Sequence, residues 1–90
     1  MNSFTTETFR RGFAGLRPET QRLARKAYLL WQENPRHPSV QFKKVGALWS
    51  ARIDRNHRAL ATMRDGDVYW IWIGSHAEYE ELIQRQRGDK

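Results

Sequence analysis

Apolar residues recur at helical spacing in the first third of the chain. Phe9, Phe13 and Leu16 follow an i, i+4, i+7 pattern, which predicts a short helix over about residues 4–16 that needs support from the rest of the protein. Pro18 suits the first turn of a second helix, and apolar residues repeat every three or four positions behind it. We predict this helix over about 18–33, because Asn34 precedes a proline and such residues avoid the helical conformation.

The apolar period changes to alternation after the stiff segment PRHP, which indicates β-strands. Val40 and Phe42 alternate with polar residues up to Gly46, so a first strand is predicted there. Three more strands are predicted at 48–54, 58–64 and 68–73. The pair Arg55-Asn56 allows a tight turn through a positive φ at the asparagine, and Asp65-Gly66 is a strong hairpin signal. The last strand, VYWIWI, is apolar on both faces, so we expect it inside the sheet with both faces covered.

The end of the chain predicts one more helix. Ser75 and Glu78 have the spacing of a capping box, and Tyr79 and Leu82 continue an apolar stripe behind it. We therefore expect an α+β fold in which two N-terminal helices pack on a twisted, mainly antiparallel four-stranded sheet, followed by a short C-terminal helix. Ninety residues supply one small core, so we expect a single domain over residues 1–90.

The amino-acid composition and the apolar runs indicate in which compartment the protein is expected. The chain has no cysteine, which excludes disulfides and thiolate metal sites and leaves nothing that points to an oxidising compartment. No basic-then-apolar signal segment opens the sequence, and the run VYWIWI is about a third of the length that a membrane span needs. We expect a cytoplasmic protein.

The net charge of +6 is concentrated in one stretch of the chain. Between Arg36 and Arg64 there are seven basic residues and one acidic residue, Asp54, so this stretch alone carries the whole excess while the flanks balance. Clustered positive charge favours a polyanionic partner, because neutralising phosphates releases their counterions. A solvated basic surface that serves only solubility is the alternative.

Several classes of chemistry lack their sequence motifs. His37, His57 and His76 are scattered, with no HExxH or Cys/His spacing around them, so no metal site is expected. Neither GxGxxG nor GxxxxGK[ST] occurs, and the nucleophile elbow GxSxG is also missing. We expect no cofactor.

Basic residues on the predicted strands and turns are the candidate nucleic-acid contacts. They are Lys43, Lys44, Arg52, Arg55, Arg58 and Arg64. Strand alternation puts Arg52 and Asp54 on the same face, where they could partly neutralise each other. Arg58, in the return strand, comes near Asp54 as well, and a surface salt bridge of little energetic value is its plain alternative.

Two residues of the last helix are candidates for acid–base chemistry. His76 occupies the first helical position, where the positive end of the helix dipole attracts anions, and Tyr79 projects from nearly the same face. RNA cleavage by 2′-hydroxyl attack needs a proton acceptor, a proton donor and cations beside the phosphorane, which His, Tyr, Lys and Arg side chains can supply without metal. The alternatives are an ordinary helix-start histidine and a tyrosine that lines the core.

The chain resembles the RelE/ParE toxin superfamily in three consecutive stretches, which are ARKAYLLWQENPRHPSVQFKKVG from Ala24 to Gly46, LWSARIDRNHRALA, and DGDVYWIWIGSHAEYEELI. The helix, linker, strands, hairpin and final helix occur in that family's order over about residues 18–83. The resemblance implies a small α+β fold with helices on one face of a twisted antiparallel sheet. It also implies the toxin of a bacterial type II toxin–antitoxin system, neutralised by a cognate antitoxin that we expect to cover the basic face with an acidic segment.

The resemblance further implies an activity. RelE-like members cleave mRNA in the ribosomal A site, which implies a metal-independent, ribosome-dependent mRNA endonuclease that inhibits translation. Arg58 matches the arginine that such nucleases use near the scissile phosphate, and His76 falls where relatives place an arginine or a histidine. Lys43 and Lys44 match a basic strand that contacts RNA.

The chain also departs from the nuclease pattern. Its tail, RQRGDK, has neither the tyrosine nor the histidine that RelE-like nucleases often carry near the chain end, and Tyr79 lies earlier. The ParE branch inhibits DNA gyrase by binding and shares the fold without the nuclease residues. A ParE-like gyrase inhibitor is therefore the alternative, beside an inactive member of the fold.

Overall fold

A five-stranded mixed sheet carries helices on both of its faces in the computed structural model, which describes residues 2–88. In chain order the elements are β1 (Ser3–Thr5), α1 (Glu7–Ala14), α2 (Pro18–Glu33), β2 (Lys43–Val45), β3 (Leu48–Asp54), β4 (His57–Arg64), β5 (Asp67–Ser75) and α3 (His76–Gly88). The strand order is β1-β5-β4-β3-β2, with β1 parallel to β5 and the other pairs antiparallel.

The N-terminal segment corrects the prediction of one helix over 4–16 and of a four-stranded sheet. Residues 3–5 form a fifth strand, because their backbone pairs in parallel with Val68 to Trp70 of β5. Thr6 ends this strand with an amide hydrogen bond to the Trp70 carbonyl, 3.1 Å long, and its hydroxyl caps α1 by accepting from the Phe9 amide at 3.3 Å. The helix therefore begins only at Glu7.

The second helix is confirmed with its predicted bounds, Pro18–Glu33. Its buried positions are Thr20, Ala24, Ala27 and Trp31, so one stripe faces the sheet. The Trp31 ring meets the Trp70 ring edge-on, with centroids 5.3 Å apart. This aromatic contact ties α2 to β5.

The first predicted strand is shorter than the alternation suggested. The continuous ladder with β3 covers only Lys43–Val45, because Gln41 adopts a positive φ of 49° and turns the chain before the strand begins. The Val40 carbonyl still accepts from the Arg52 amide at 2.6 Å. β3 and β4 follow the prediction closely, whereas β5 extends beyond the predicted 68–73 to Asp67–Ser75. The Asp65-Gly66 hairpin is confirmed, with φ values of 53° and 83° that suit a two-residue turn.

Each face of the sheet supports its own apolar layer. On the first, which we call the α1/α2 face, buried Ala51, Ala59 and Trp70 pack against α2 and α1. On the second, the α3 face, Leu60 packs with Tyr79 and other residues of α3. β5 is thus flanked by two strands and covered on both faces, as its apolar sequence predicts. None of the helices in residues 2–88 is long and apolar enough to cross a membrane.

Candidate nucleic-acid interface

Two arginines face each other at one end of the α3 face. The register of β3 and β4 puts Arg52 directly opposite Arg58, and residues opposite each other share a face of the sheet. On the next strand Arg58 is opposite Gly74, which offers no side chain. Among the residues that the structure describes, neither guanidinium forms a salt bridge. Two half-buried positive charges therefore lie side by side without a carboxylate between them.

Arg58 is held by the backbone of the turn that precedes it. Its Nη1 donates to the carbonyl oxygens of Asp54 and His57, at 2.6 Å and 2.8 Å. Arg58 thus comes close to Asp54 as predicted, but it bonds the backbone carbonyl and forms no salt bridge with the carboxylate. Burial lowers the pKa of Arg58 below its ordinary value and the charge of Arg52 lowers it further, while Tyr79, Asp54 and Glu80 oppose the shift. An anion bound here would stabilise the charged guanidinium.

The Asp54 carboxylate turns away from the arginine pair. A register shift between Arg52 and Asp54 interrupts the strand alternation, so the predicted neutralisation of Arg52 by Asp54 is not formed. Asp54 Oδ1 instead accepts from the Asn56 amide at 2.8 Å and lies 3.0 Å from His57 Nδ1. Burial raises the pKa of Asp54, but hydrogen bonds from His57 and Asn56 and the His57 charge outweigh it, leaving the pKa below its ordinary 3.8.

The sequence reasoning overlooked this pairing of Asp54 with His57. The available signal was the aspartate two residues before Asn56, the spacing at which an aspartate accepts a backbone hydrogen bond within a turn. Asn56 itself does not use the positive φ that we expected of it, since Gln41 and Asp65 are the only non-glycine residues with positive φ in the described part of the chain.

His76 begins α3 beside the arginine pair. The predicted capping box is formed, with the Ser75 amide donating to Glu78 Oε1 and the Glu78 amide donating to Ser75 Oγ, both at 3.2 Å. The His76 side chain is 44% exposed, and its Nε2 lies 3.7 Å from Glu80 Oε2. Its imidazole is therefore accessible to a ligand on the α3 face.

Tyr79 lies inside the layer between α3 and the sheet. Only 7% of the residue is exposed, and it packs with Val45, Leu60 and Ile83. Its ring centroid is 5.8 Å from that of His76. This burial agrees with the core-lining interpretation of Tyr79, and a part in the chemistry remains a prediction.

The two neighbouring lysines of β2 point to different faces. Lys43 is opposite Ser50 and shares the α3 face with the arginine pair. Lys44 is opposite Trp49, whose side chain packs in the layer on the α1/α2 face. Both lysines are exposed, but only Lys43 adds its charge to the surface that holds the arginines.

The remaining two basic candidates lie at opposite ends of β4. Arg55 is exposed in the turn between β3 and β4, next to the arginine pair. Arg64 pairs with Asp67 at the far end of β4, six residues from Arg58, which corresponds to about 20 Å along a strand. The structure thus gathers Lys43, Arg52, Arg55, Arg58 and His76 at one end of the sheet and leaves Lys44 and Arg64 outside.

The opposite face of the sheet carries an apolar groove of about 650 Å³. It lies between α1, α2 and the sheet, and Phe9, Ala27 and Trp70 are among its lining residues. Arg10 and Arg25, both exposed, are the charged residues that line it. The groove and the arginine pair are therefore on different faces.

No protein-family model matches the chain, and no curated protein matches it in sequence. Solved structures do match its fold. The chain is similar to YafQ from E. coli strain BL21(DE3), with a TM-score of 0.69 over 87% of this chain and 96% of that chain at 9% identity. The chain has the RelE/ParE-like toxin fold.

Two further structures extend this similarity. One is a YoeB/ParE toxin from Agrobacterium tumefaciens, with a TM-score of 0.65 over 84% of this chain and 99% of that chain at 14% identity. The other comes from the RelB-RelE antitoxin-toxin complex of Methanococcus jannaschii, with a TM-score of 0.65 over 88% of this chain and 96% of that chain at 10% identity. At these identities the comparison shows a shared RelE/ParE-like fold, and function must be argued from the residues of this chain.

Proposed function

We propose that this chain is the toxin of a bacterial type II toxin–antitoxin system and acts as a ribosome-dependent mRNA endonuclease. The observation that carries the proposal is the half-buried pair Arg52 and Arg58, without a salt bridge among residues 2–88, next to the exposed imidazole of His76. Like charges directly opposite each other destabilise a sheet, and a bound anion would offset that cost. A phosphate group of an RNA backbone is such an anion.

The proposed roles follow from where each group lies. Arg58, held through one Nη by two carbonyls, stabilises the charge that develops on the phosphorane, and Arg52 binds the same phosphate from the neighbouring strand. His76 either accepts the proton of the attacking 2′-hydroxyl or donates a proton to the leaving 5′-oxygen, and solvent water carries out the other transfer. Lys43 and Arg55 extend the positive surface along the bound strand.

We give the other candidates lesser roles. Tyr79 supports the His76 ring from within the apolar layer, because its own ring is buried. Lys44 and Arg64 lie away from the arginine pair, so they contribute long-range attraction and do not contact the reacting phosphate.

We also propose an antitoxin partner that uses the apolar groove. RelB is bound to RelE in the M. jannaschii complex, which supports a partner of this class. The groove fits an amphipathic segment with apolar side chains toward Phe9 and Trp70 and acidic side chains toward Arg10 and Arg25. Covering the arginine pair as well requires the antitoxin to continue around the sheet to the α3 face.

The deciding experiment is primer extension on cellular mRNA after brief induction of the chain. The wild-type chain should produce new cleavage ends within translated codons, and Arg58→Ala should abolish both these ends and growth arrest while folding normally. Arg64→Ala is the matched control, since it removes the same charge about 20 Å away and should leave cleavage intact.

Two results would contradict the nuclease proposal. One is growth arrest that persists in Arg58→Ala. The other is intact mRNA together with trapped gyrase–DNA complexes, which would favour a ParE-like gyrase inhibitor. Within a nuclease, His76→Ala should lower cleavage sharply, whereas His37→Ala, in the exposed linker, should not.

A further inference from the structure

The turn between β3 and β4 is a network of hydrogen bonds around one carboxylate. Asp54 Oδ1 accepts a hydrogen bond from the Asn56 amide at 2.8 Å and lies 3.0 Å from His57 Nδ1. Asp54 and His57 are only about one quarter exposed, with side-chain values of 25% and 24%. This one acceptor therefore fixes the path of the backbone through residues 54–57.

Carbonyl groups of the same turn hold the Arg58 guanidinium. Arg58 Nη1 donates to the carbonyls of Asp54 and His57. The N–H groups on Nε and Nη2 can therefore donate to a ligand. A flexible arginine would lose side-chain entropy on binding a phosphate, and a guanidinium already held in place loses less.

The turn is also bonded to the start of α3. The His76 amide donates to the Asn56 carbonyl at 2.7 Å. The carbonyls of residues 54, 56 and 57 thus contact both members of the proposed site, Arg58 from β4 and His76 from α3. A change in the turn would move the two relative to each other.

We infer that Asp54 is a positioning residue that holds the β3–β4 turn in the shape that presents Arg58 to an anion. This inference rests on the proposed function for the identity of the anion, an RNA phosphate, while the holding of Arg58 by the turn stands apart from it.

Two Asp54 variants separate positioning from charge. Asp54→Ala and Asp54→Asn remove the same negative charge, so electrostatics alone predicts tighter RNA binding by both. Asparagine retains an oxygen that can accept from Asn56 and His57, whereas alanine retains none. Asp65→Asn, in the other hairpin turn, is the control for the charge change.

The first measurement is the Kd for a fluorescein-labelled single-stranded oligoribonucleotide with 2′-O-methyl groups, which block cleavage, read by fluorescence anisotropy. We expect Arg58→Ala to bind about tenfold to a hundredfold more weakly, the loss of a charge-assisted hydrogen bond. Asp54→Ala should bind about threefold to tenfold more weakly, a fraction of that loss. Asp54→Asn and Asp65→Asn should bind as well as wild type or better.

The double variant tests whether Asp54 acts through Arg58. If it does, adding Asp54→Ala to Arg58→Ala should cause no further loss of binding. Equal or tighter binding by Asp54→Ala, with Arg58→Ala weak, would overturn the inference. Thermal unfolding is measured first, and if Asp54→Ala does not fold, His57→Ala takes its place with the same expected direction.

A second measurement tests the positioning role of Asp54 independently of the proposed function. The heteronuclear NOE of the Arg58 Nε–Hε group reports whether the guanidinium is held, without any RNA present. It should indicate a rigid group in wild type and Asp54→Asn and a mobile one in Asp54→Ala. If no variant, Arg58→Ala included, alters RNA binding, the assignment of the anion as an RNA phosphate fails. A rigid Arg58 in Asp54→Ala would overturn the positioning role.

Discussion

Repulsion between the opposed side chains of Arg52 and Arg58 should lower the free energy of unfolding of the protein. Two like charges about 4 Å apart repel by about 1 kcal/mol in water and by about 4 kcal/mol at an effective dielectric of about 20, and the repulsion falls as they separate. Both side chains are half-buried and can still diverge toward solvent, so we expect a cost of about 0.5–1 kcal/mol, as for other like charges opposed across strands.

Replacing Arg52 with glutamine should recover this free energy. Arg52 is the better choice because Arg58 would also lose two hydrogen bonds to carbonyls. In a domain of this size a gain of about 0.5–1 kcal/mol corresponds to a Tm increase of roughly 2–8 °C. The same variant should bind RNA more weakly, so stability and binding change in opposite directions.

Thermal denaturation at low and high salt is the assay. The Tm gain of Arg52→Gln should be largest at about 0.01 M salt and small at about 1 M, where the screening length falls from about 30 Å to about 3 Å. Arg55→Gln removes an equal charge from the adjacent exposed turn and should gain much less. A destabilised Arg52→Gln, or an equal gain in Arg55→Gln, would refute the reasoning.

Two further predictions concern neighbouring residues. Gly74→Ala should lower stability by about 1–3 kcal/mol in thermal unfolding, because its Cβ would lie 2.5 Å from Trp72 Cζ2. Gly15→Ala is the control, because no atom outside its chain neighbours would lie within 3.6 Å of the added Cβ. Its free energy of unfolding should remain within about 1 kcal/mol of wild type. Equal stability of the Gly74→Ala and Gly15→Ala variants would contradict the crowding at Gly74. The depressed pKa of Asp54 stabilises the fold above pH 3.8, and this contribution is lost as pH falls through the lower folded-state pKa. Asp54→Asn should lose this part of the acid dependence, and an unchanged unfolding profile in acid would contradict the contact with His57.

Elements with strong local signals were predicted well. The bounds of α2 follow from Pro18 and from the helical spacing of its apolar residues, both readable within sixteen residues. The turn at Asp65-Gly66 and the capping box of Ser75 and Glu78 also depend only on near neighbours. Residues close in sequence suffice to stabilise each of these features.

The misassigned elements depend on distant parts of the chain. Residues 3–5 show no alternation long enough to indicate a strand, and they become one only by pairing with β5. The apolar pattern that includes Phe9 does correspond to a helix. That helix begins only at Glu7, because the preceding residues pair with β5. Val40 likewise follows a strand pattern, yet the positive φ of Gln41 separates it from β2, and Val40 packs in the core with residues of α2.

The candidate site was predicted in composition but not in arrangement. Charge clustering pointed to the stretch of chain that holds the arginine pair, and strand alternation alone could separate Lys43 from Lys44. Strand alternation predicted the wrong direction for the Asp54 side chain, because a register shift turns its carboxylate toward His57. Such irregularities depend on the pairing of strands, which a one-dimensional pattern does not contain.

The pairing of β1 with β5 has a consequence for the order in which the protein assembles. The Val68 amide donates to the Asn2 carbonyl at 2.9 Å, so the first residues of the chain bond to a strand made more than sixty residues later. Contacts between such distant residues are slow to form, because the intervening chain must first be closed into a loop. During synthesis, β1 must wait until β5 has left the ribosome, and α1, which packs on β5, waits with it. β1, although translated before β5, is therefore among the last elements to find its place.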